Sequence, residues 1–186
     1  MIKVFLVEDE VVMRNGIKNN IPWEKEGLIF AGEASDGELA YPMIKKAQPD
    51  ILITDIRMPF MDGLELSELV KKEFPKIKII ILSGYNEFDY AKQAIHIGVT
   101  DYLLKPITAS KLLEAVKKVA DVIEKEREEE GMLERYRLEM AENTVLERQR
   151  LFRDLVTSRI NFKEALERGG GAGPGTVGFL LPAHAF

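Results

Sequence analysis

Cysteine is absent from the 186 residues, which removes disulfides, thiolate metal sites and cysteine nucleophiles from the available chemistry and fits a reducing compartment. Nor is there a basic excess: 26 lysines and arginines stand against 31 aspartates and glutamates, a formal net charge of −5. Direct binding of nucleic acid through its phosphates calls for the opposite balance, so none is expected of this chain. No apolar run approaches the ~20 residues of a membrane span. The opening run Ile2 to Val7 meets Glu8, Asp9 and Glu10 at once and is too short for the apolar centre of a secretory signal. A G-x-x-x-x-G-K-[ST] phosphate loop is missing as well. What is present is 46% hydrophobic and 31% charged residues, the balance of a globular chain and not of a disordered one. The expectation is a cytoplasmic protein, one compact domain with an appendage.

Short apolar runs of strand length recur at Ile2 to Val7, Leu28 to Ala34, Ile51 to Thr54, Ile77 to Leu82 and Thr100 to Leu104. Most lack polar alternation, the mark of strands covered on both faces in a parallel sheet. Amphipathic stretches at helical spacing lie between them: Val11 to Asn20, Gly37 to Ala47, Gly63 to Phe74, Glu87 to Ile97, and a last one from near Thr108. Asp36, Asp62 and Asn86 stand where helix N-caps belong. Pro42 is expected to cost the second helix one backbone bond and to kink it. Alternating strands and helices with right-handed crossovers give an α/β fold, a doubly wound five-stranded parallel sheet flanked by helices. Ligands of such a sheet bind at the carboxyl ends of the strands.

A domain is therefore expected over residues 1–121, followed by a helical extension over 122–168. That extension carries a charged run, Glu124 to Glu130, and an apolar stripe through Leu133, Tyr136, Met140, Leu151, Phe152, Leu155, Val156 and Ile160 that is not a clean heptad. It reads as a linker or dimer-forming helix, with a solvated helix tucked against its own domain as the alternative. Residues 169–186 are rich in Gly, Ala and Pro and carry no Asp, Glu, Lys or Arg. Their composition is that of a flexible tail foreign to the rest of the chain.

Under this strand assignment Glu8 and Asp9 fall just beyond the first strand and Asp55 just beyond the third, its neighbour in such a sheet. Each like-charge pair at ~4 Å repels by about 4 kcal/mol at an effective dielectric near 20, so the crevice calls for positive charge. A hard divalent ion with oxygen ligands answers it, and Mg2+ is the economical choice. Ser83 and Lys105 follow the fourth and fifth strands, and Pro106 suggests a fixed, even cis, turn that aims the lysine inward. Taken singly, Glu8 or Asp9 could be a helix N-cap, Asp55 a turn former before Met58-Pro59, Ser83-Gly84 a turn and Lys105 a surface lysine. Placed jointly after four strands, they are the parts for phosphoryl transfer onto an aspartate.

The motifs Leu6-Val7-Glu8-Asp9-Glu10, Asp55-Ile56-Arg57-Met58-Pro59, Asp62-Gly63, Ser83-Gly84 and Tyr102-Leu103-Leu104-Lys105-Pro106 resemble those of the receiver domains of bacterial two-component response regulators. The resemblance covers about residues 1–121 and implies a flavodoxin-like sheet of strand order 2-1-3-4-5. It implies that Asp55 accepts a phosphoryl group from a partner sensor histidine kinase, in an Mg2+-dependent self-phosphorylation and auto-dephosphorylation rather than a classical enzyme reaction. Asp9, Asp55 and the backbone carbonyl of Arg57 would hold Mg2+, with Glu8 reaching it through water. Lys105 would contact the phosphoryl oxygens, Ser83 would move to hydrogen-bond them, and Tyr102 would turn inward behind it. Arg57 and Tyr85 would flank the pocket. Glu8 replaces the aspartate often found there, and Ser83 the commoner threonine. Within the family, Ile21-Pro22-Trp23 and Ser83 to Ala91 resemble YesN-like receivers, whose members usually end in an AraC-type DNA-binding domain. No helix-turn-helix region fits after Arg168, so the chain resembles the regulatory fragment of a transcription factor, with DNA binding left to the intact protein and a homodimer expected.

A phosphoryl group beside Lys105 and Ser83 adds nearly two negative charges and would pull the loop after the fourth strand inward. Tyr90, His96 and Ile97 on the fourth helix are candidates for the surface that changes. Two other readings compete. An interaction domain that is never phosphorylated would not need all the pocket residues. An aspartyl-phosphate phosphatase of the haloacid-dehalogenase type needs a second acid two residues after its nucleophile, where this chain has Arg57.

Overall fold

A computed structural model describes residues 1–84 and 88–168. Five strands, β1 (Ile2–Val7), β2 (Leu28–Ala34), β3 (Ile51–Asp55), β4 (Lys78–Ser83) and β5 (Asp101–Leu104), alternate with helices α1 (Val11–Asn20), α2 (Gly37–Ala47), α3 (Gly63–Glu73), α4 (Phe88–Ile97) and α5 (Ala109–Arg168). All pairings are parallel and the strand order is β2-β1-β3-β4-β5. The expected flavodoxin-like order is the observed one. Strand ends shift by a residue: Asp55 and Ser83 are the last residues of β3 and β4 rather than the first beyond them. A short 3-10 helix, Trp23–Glu26, lies before β2.

The unbroken apolar runs follow from two cores. Ile2, Val4 and Leu6 of β1 join Ile51 and Ile53 of β3 and Ile80 and Leu82 of β4 on one face, beneath Ile17 of α1 and Leu112, Val116 and Val119 of α5. The alternate residues Phe5, Val7, Leu52, Ile79 and Ile81 face the other way, toward Ala40 and Ile44 of α2, Leu66 and Val70 of α3, and Ala94 of α4. A strand with both faces buried has no solvent side for polar residues to occupy.

The helices begin where the sequence places their caps. The Asp36 carboxylate accepts from the Leu39 N–H at 2.9 Å, and Asp62 accepts from the Leu64 and Glu65 N–H groups, both at 2.8 Å. Asn86 lies outside the described residues, as does Tyr85. Helix α2 runs unbroken through Pro42. The ring removes the N–H that would reach the Glu38 carbonyl, and burial of Ala40 and Ile44 holds the helix together across that gap. Gly63 opens α3 with its N–H on the Ile56 carbonyl at 2.9 Å. A Cβ there would stand 1.8 Å from the Asp55 carbonyl oxygen, so only glycine allows this approach.

The chain divides into two compact units, Met1–Glu129 and Glu130–Phe186. Within the first, α5 is anchored to the amino edge of the sheet. Asp50, just before β3, accepts from the Lys3 N–H at 2.8 Å and from the Arg127 guanidinium. Lys78, the first residue of β4, pairs with Glu126 at 2.6 Å. In the second unit α5 continues to Arg168, and Met132, Leu133, Tyr136, Leu138, Met140, Val145 and Leu146 are exposed. The tail 169–186, His184 included, lies outside the described residues. Among those described, no helix is long and apolar enough to cross a membrane.

Candidate functional site

Parallel strands whose crossover helices lie on the faces deliver their carboxyl ends to one edge, and there the predicted residues meet. Glu8 and Asp9 form the turn between β1 and α1, Asp55 ends β3, Ser83 ends β4 and Lys105 follows β5. Glu8, Asp9 and Asp55 each offer an oxygen within 4.8 Å of the others. Between two of them lies Lys105, whose Nζ is 2.8 and 3.1 Å from the Glu8 oxygens and 2.9 Å from Asp55 Oδ2. The Lys105–Pro106 peptide is cis.

Burial sorts these groups. Glu8 is 0% exposed, Asp55 and Ser83 are buried and Asp9 is exposed. Burial pushes the Glu8 carboxyl above the usual carboxylate range, while the bonded Lys105 ammonium pulls it the other way. For Lys105 itself burial favours the neutral amine, but the bonds it donates to Glu8 and Asp55 outweigh that and raise its pKa. One ammonium answers only one of three carboxylates. An all-oxygen set with that much uncompensated charge suits a hard divalent cation, and the residues present fit Mg2+.

Asp55 is otherwise held by its own backbone: Oδ1 accepts from the Ile56 N–H at 2.8 Å, leaving Oδ2 to Lys105. A cavity of about 90 Å3 opens on this carboxylate, lined by Ile56, Arg57, Ser83, Gly84, Tyr90 and Lys105. The Arg57 guanidinium stacks over the Tyr90 ring at 5.8 Å, joining the loop after β3 to α4. Phe60 in that loop is 82% exposed, with a left-handed backbone (φ 66°). Tyr102 is not part of this cavity. It packs against the core under α2, α3 and α4, and its hydroxyl is enclosed without a hydrogen-bond partner among the described residues. His96 and Ile97 lie elsewhere, in a groove of about 1170 Å3 between α3 and α4 shared with Glu65, Glu68 and Lys92. A third hollow, about 540 Å3 beside Trp23 and Phe30, is remote from the acids.

Neither Glu8 nor Asp9 caps α1. The N-cap is Glu10, and its side chain makes no capping bond. The turn is held instead by Arg14, whose Nη1 donates to the carbonyl oxygens of Glu8 at 2.6 Å and Asp9 at 3.4 Å. Sequence reasoning passed over this residue. Its position one helical turn past the acids was the available signal, since a long donor there reaches back to the turn.

Comparison with known proteins bears on the same edge. The response regulator receiver domain model matches residues 4–117. The uncharacterized transcriptional regulatory protein YesN of Bacillus subtilis strain 168 is 41% identical over 119 residues, 64% of this chain and 32% of that protein. The transcriptional regulatory protein DegU of Brevibacillus brevis is 33% identical over 119 residues, 64% of this chain and 50% of its own length. Among solved structures, the REC domain of AraT, a response regulator from Geobacillus stearothermophilus, superposes with a TM-score of 0.64 at 39% identity, covering 68% of this chain and 98% of that one. The chain thus spans half or less of the length of these full-length relatives. The matched span contains every acid, the hydroxyl and the lysine gathered at the carboxyl edge of the sheet, and with it the chain belongs to the response regulator receiver family.

Proposed function

We propose that this chain is a phosphorylation-dependent switch in which Asp55 accepts a phosphoryl group from the phosphohistidine of a sensor kinase. A carboxylate oxygen of Asp55 forms the new P–O bond while the donor's P–N bond breaks, its electron pair passing to the imidazole nitrogen. Lys105 is the group that meets the phosphoryl oxygens, and Ser83 donates its hydroxyl to them. Asp9, Asp55 and the Arg57 carbonyl would hold Mg2+, with Glu8 beside them as a further acid of the site. The ion, when bound, would supply positive charge to offset that of the phosphoryl and Asp55 oxygens.

The observation that carries this reading is the lysine bridge. Lys105 spans Glu8 and Asp55 at 2.8 and 2.9 Å in a cavity of about 90 Å3, a pre-formed cation for an anion arriving at Asp55. Once phosphorylated, Asp55 recruits Ser83 and Lys105, and the surface of α4, β5 and the start of α5 changes, with Tyr102 settling behind Ser83. The output is transcriptional control by a DNA-binding segment of the intact cytoplasmic regulator, reached through dimerisation. The exposed apolar side chains of α5 beyond Glu130 support a homodimer.

Intact mass after exposure to a small acyl phosphate tests the chemistry. One phosphoryl adduct that needs Mg2+ and disappears in Asp55→Asn is the expected result. An adduct that persists in Asp55→Asn refutes the assignment of the acceptor.

A further inference from the structure

Arg14 belongs to none of the chemistry above, yet it holds the turn on which that chemistry stands. We infer that Arg14 is the positioning residue of the cation site: by donating to the carbonyls of Glu8 and Asp9 it fixes the turn that aims the Asp9 carboxylate at Asp55. The inference rests on the reading of Glu8, Asp9 and Asp55 as a divalent-cation site.

Three features of the turn lead to this assignment. The Glu8 N–H is tied to the Ala34 carbonyl of β2 at 3.1 Å, and the Glu8 side chain to Lys105, so the chain is well fixed up to Glu8. Beyond it the backbone is held more weakly, the Glu10 N–H reaching Glu8 Oε1 at 3.4 Å. No side-chain cap closes the start of α1 at Glu10, and Asp9 is exposed. An exposed carboxylate takes its placement largely from its backbone, and the shortest side-chain bond to that backbone comes from Arg14, at 2.6 Å from the Glu8 oxygen and 3.4 Å from the Asp9 oxygen. A planar fork with several donors suits two successive carbonyls, and a half-buried guanidinium stays charged while serving them.

Charge and position make opposite demands here, which makes the inference testable by sign. A cation beside the acids repels a second cation, so if Arg14 acted only as a charge, removing it would tighten Mg2+ binding. If it acts by fixing the turn, removing it loosens Asp9 and weakens binding. Partners that orient a ligand from outside the ligand set are typically worth 10–100-fold in metal affinity. Because a single turn with two carbonyls is involved, about tenfold is expected.

The test is a titration of the full chain with MgCl2 alone, followed by the amide resonances of residues 8–10, for the unaltered protein, Arg14→Met and Arg14→Lys. Arg14→Met is expected to bind about tenfold more weakly. Arg14→Lys keeps the charge but replaces the fork by one ammonium, and should fall between. Thermal unfolding without Mg2+ separates a loss of folding from a loss of affinity. Should Arg14→Met fail to fold, Arg14→Lys decides, and affinity equal to the unaltered chain overturns the inference. Equal or tighter binding by Arg14→Met, with the unaltered protein saturating normally, overturns Arg14 as the positioning residue and leaves the cation site standing. No saturable shift in the unaltered protein overturns the cation-site reading itself, and this inference with it.

Discussion

Replacing Lys105 by methionine keeps the aliphatic stem and removes the charge, which turns the acidic edge into a stability experiment. In the intact site the ammonium bonds Glu8, which is 0% exposed, and Asp55, while the Lys105 side chain keeps 17% of its own exposure. Breaking a buried pair by removing one partner costs roughly 3–5 kcal/mol, because the remaining charge is left uncompensated. Partial solvent access of the lysine places this site at the lower end, about 3 kcal/mol at pH 7. That corresponds to a fall of roughly 10 °C in the thermal midpoint for a protein of this size.

The deficit has a defined pH dependence. The Glu8 pKa is already raised by burial, and loss of Lys105 removes the bond that opposes the rise. A carboxyl with a higher pKa folded than unfolded binds more protons when folded, so stability increases as pH falls through the folded value and levels off below the unfolded one. The gap between Lys105→Met and the unaltered chain should therefore narrow steadily from pH 7 down toward the ordinary carboxylate range. Adding Glu8→Gln to Lys105→Met should recover much of the loss at pH 7. Calorimetry across that pH range is the assay. A Lys105→Met protein as stable as the unaltered one at pH 7, or a deficit that does not change with pH, would falsify the account of the lysine as the counter-charge of a buried acid.

Gly63→Ala should be among the most damaging small substitutions, since its Cβ would lie 1.8 Å from the Asp55 carbonyl and two backbone segments would have to part. We expect a loss of about 2–3 kcal/mol in denaturant unfolding, and a midpoint shift within error would show that α3 does not press on β3. The Arg57–Tyr90 stack should yield a coupling of about 0.5–1 kcal/mol in a double-mutant cycle of Arg57→Ala with Tyr90→Leu, as exposed cation–π pairs do. Strict additivity of the two changes would mean that the stack contributes nothing.

Where the chain's own periodicity encodes a contact, the sequence was a sufficient guide. Ile79-Ile80-Ile81-Leu82 is unbroken because residues 79 and 81 feed one core and residues 80 and 82 the other. The acids, the hydroxyl and the lysine were legible for a related reason: parallel strands present their ends together, so a residue placed at a strand end is thereby placed at the site. What escaped was set by side chains that reach across the fold. Only its place about one turn past the acids distinguishes Arg14 from Lys18, the other basic residue of α1, and its role depends on which way a long side chain turns. Tyr90 read as a surface candidate on α4, yet it packs on the core and lines the acidic cavity, with the Arg57 guanidinium over its ring. Asp50 and Arg127 are far apart along the chain and carry no pattern linking them. The 3-10 helix at Trp23–Glu26 is too short for any period to register, and it is fixed by burial of Trp23 and the turn at Gly27.

The anchoring of α5 gives the two central strands a further property. Asp50 and Asp55 bracket β3, and Lys78 and Ser83 are the two ends of β4, so each strand carries a residue of the acidic edge at one end and a tether for α5 at the other. These strands are spacers of about 16–20 Å at 3.3 Å per residue, held on both sides by neighbours and far stiffer than a loop of equal length. Glu126 and Arg127 are consecutive on α5, about 100° apart around its axis. Contacts at two azimuths resist rotation of the helix as well as sliding, beside the core packing of Leu112, Val116 and Val119. A shift of Asp55 and Ser83 in the same direction would slide the grip, while a shift of one against the other would twist it.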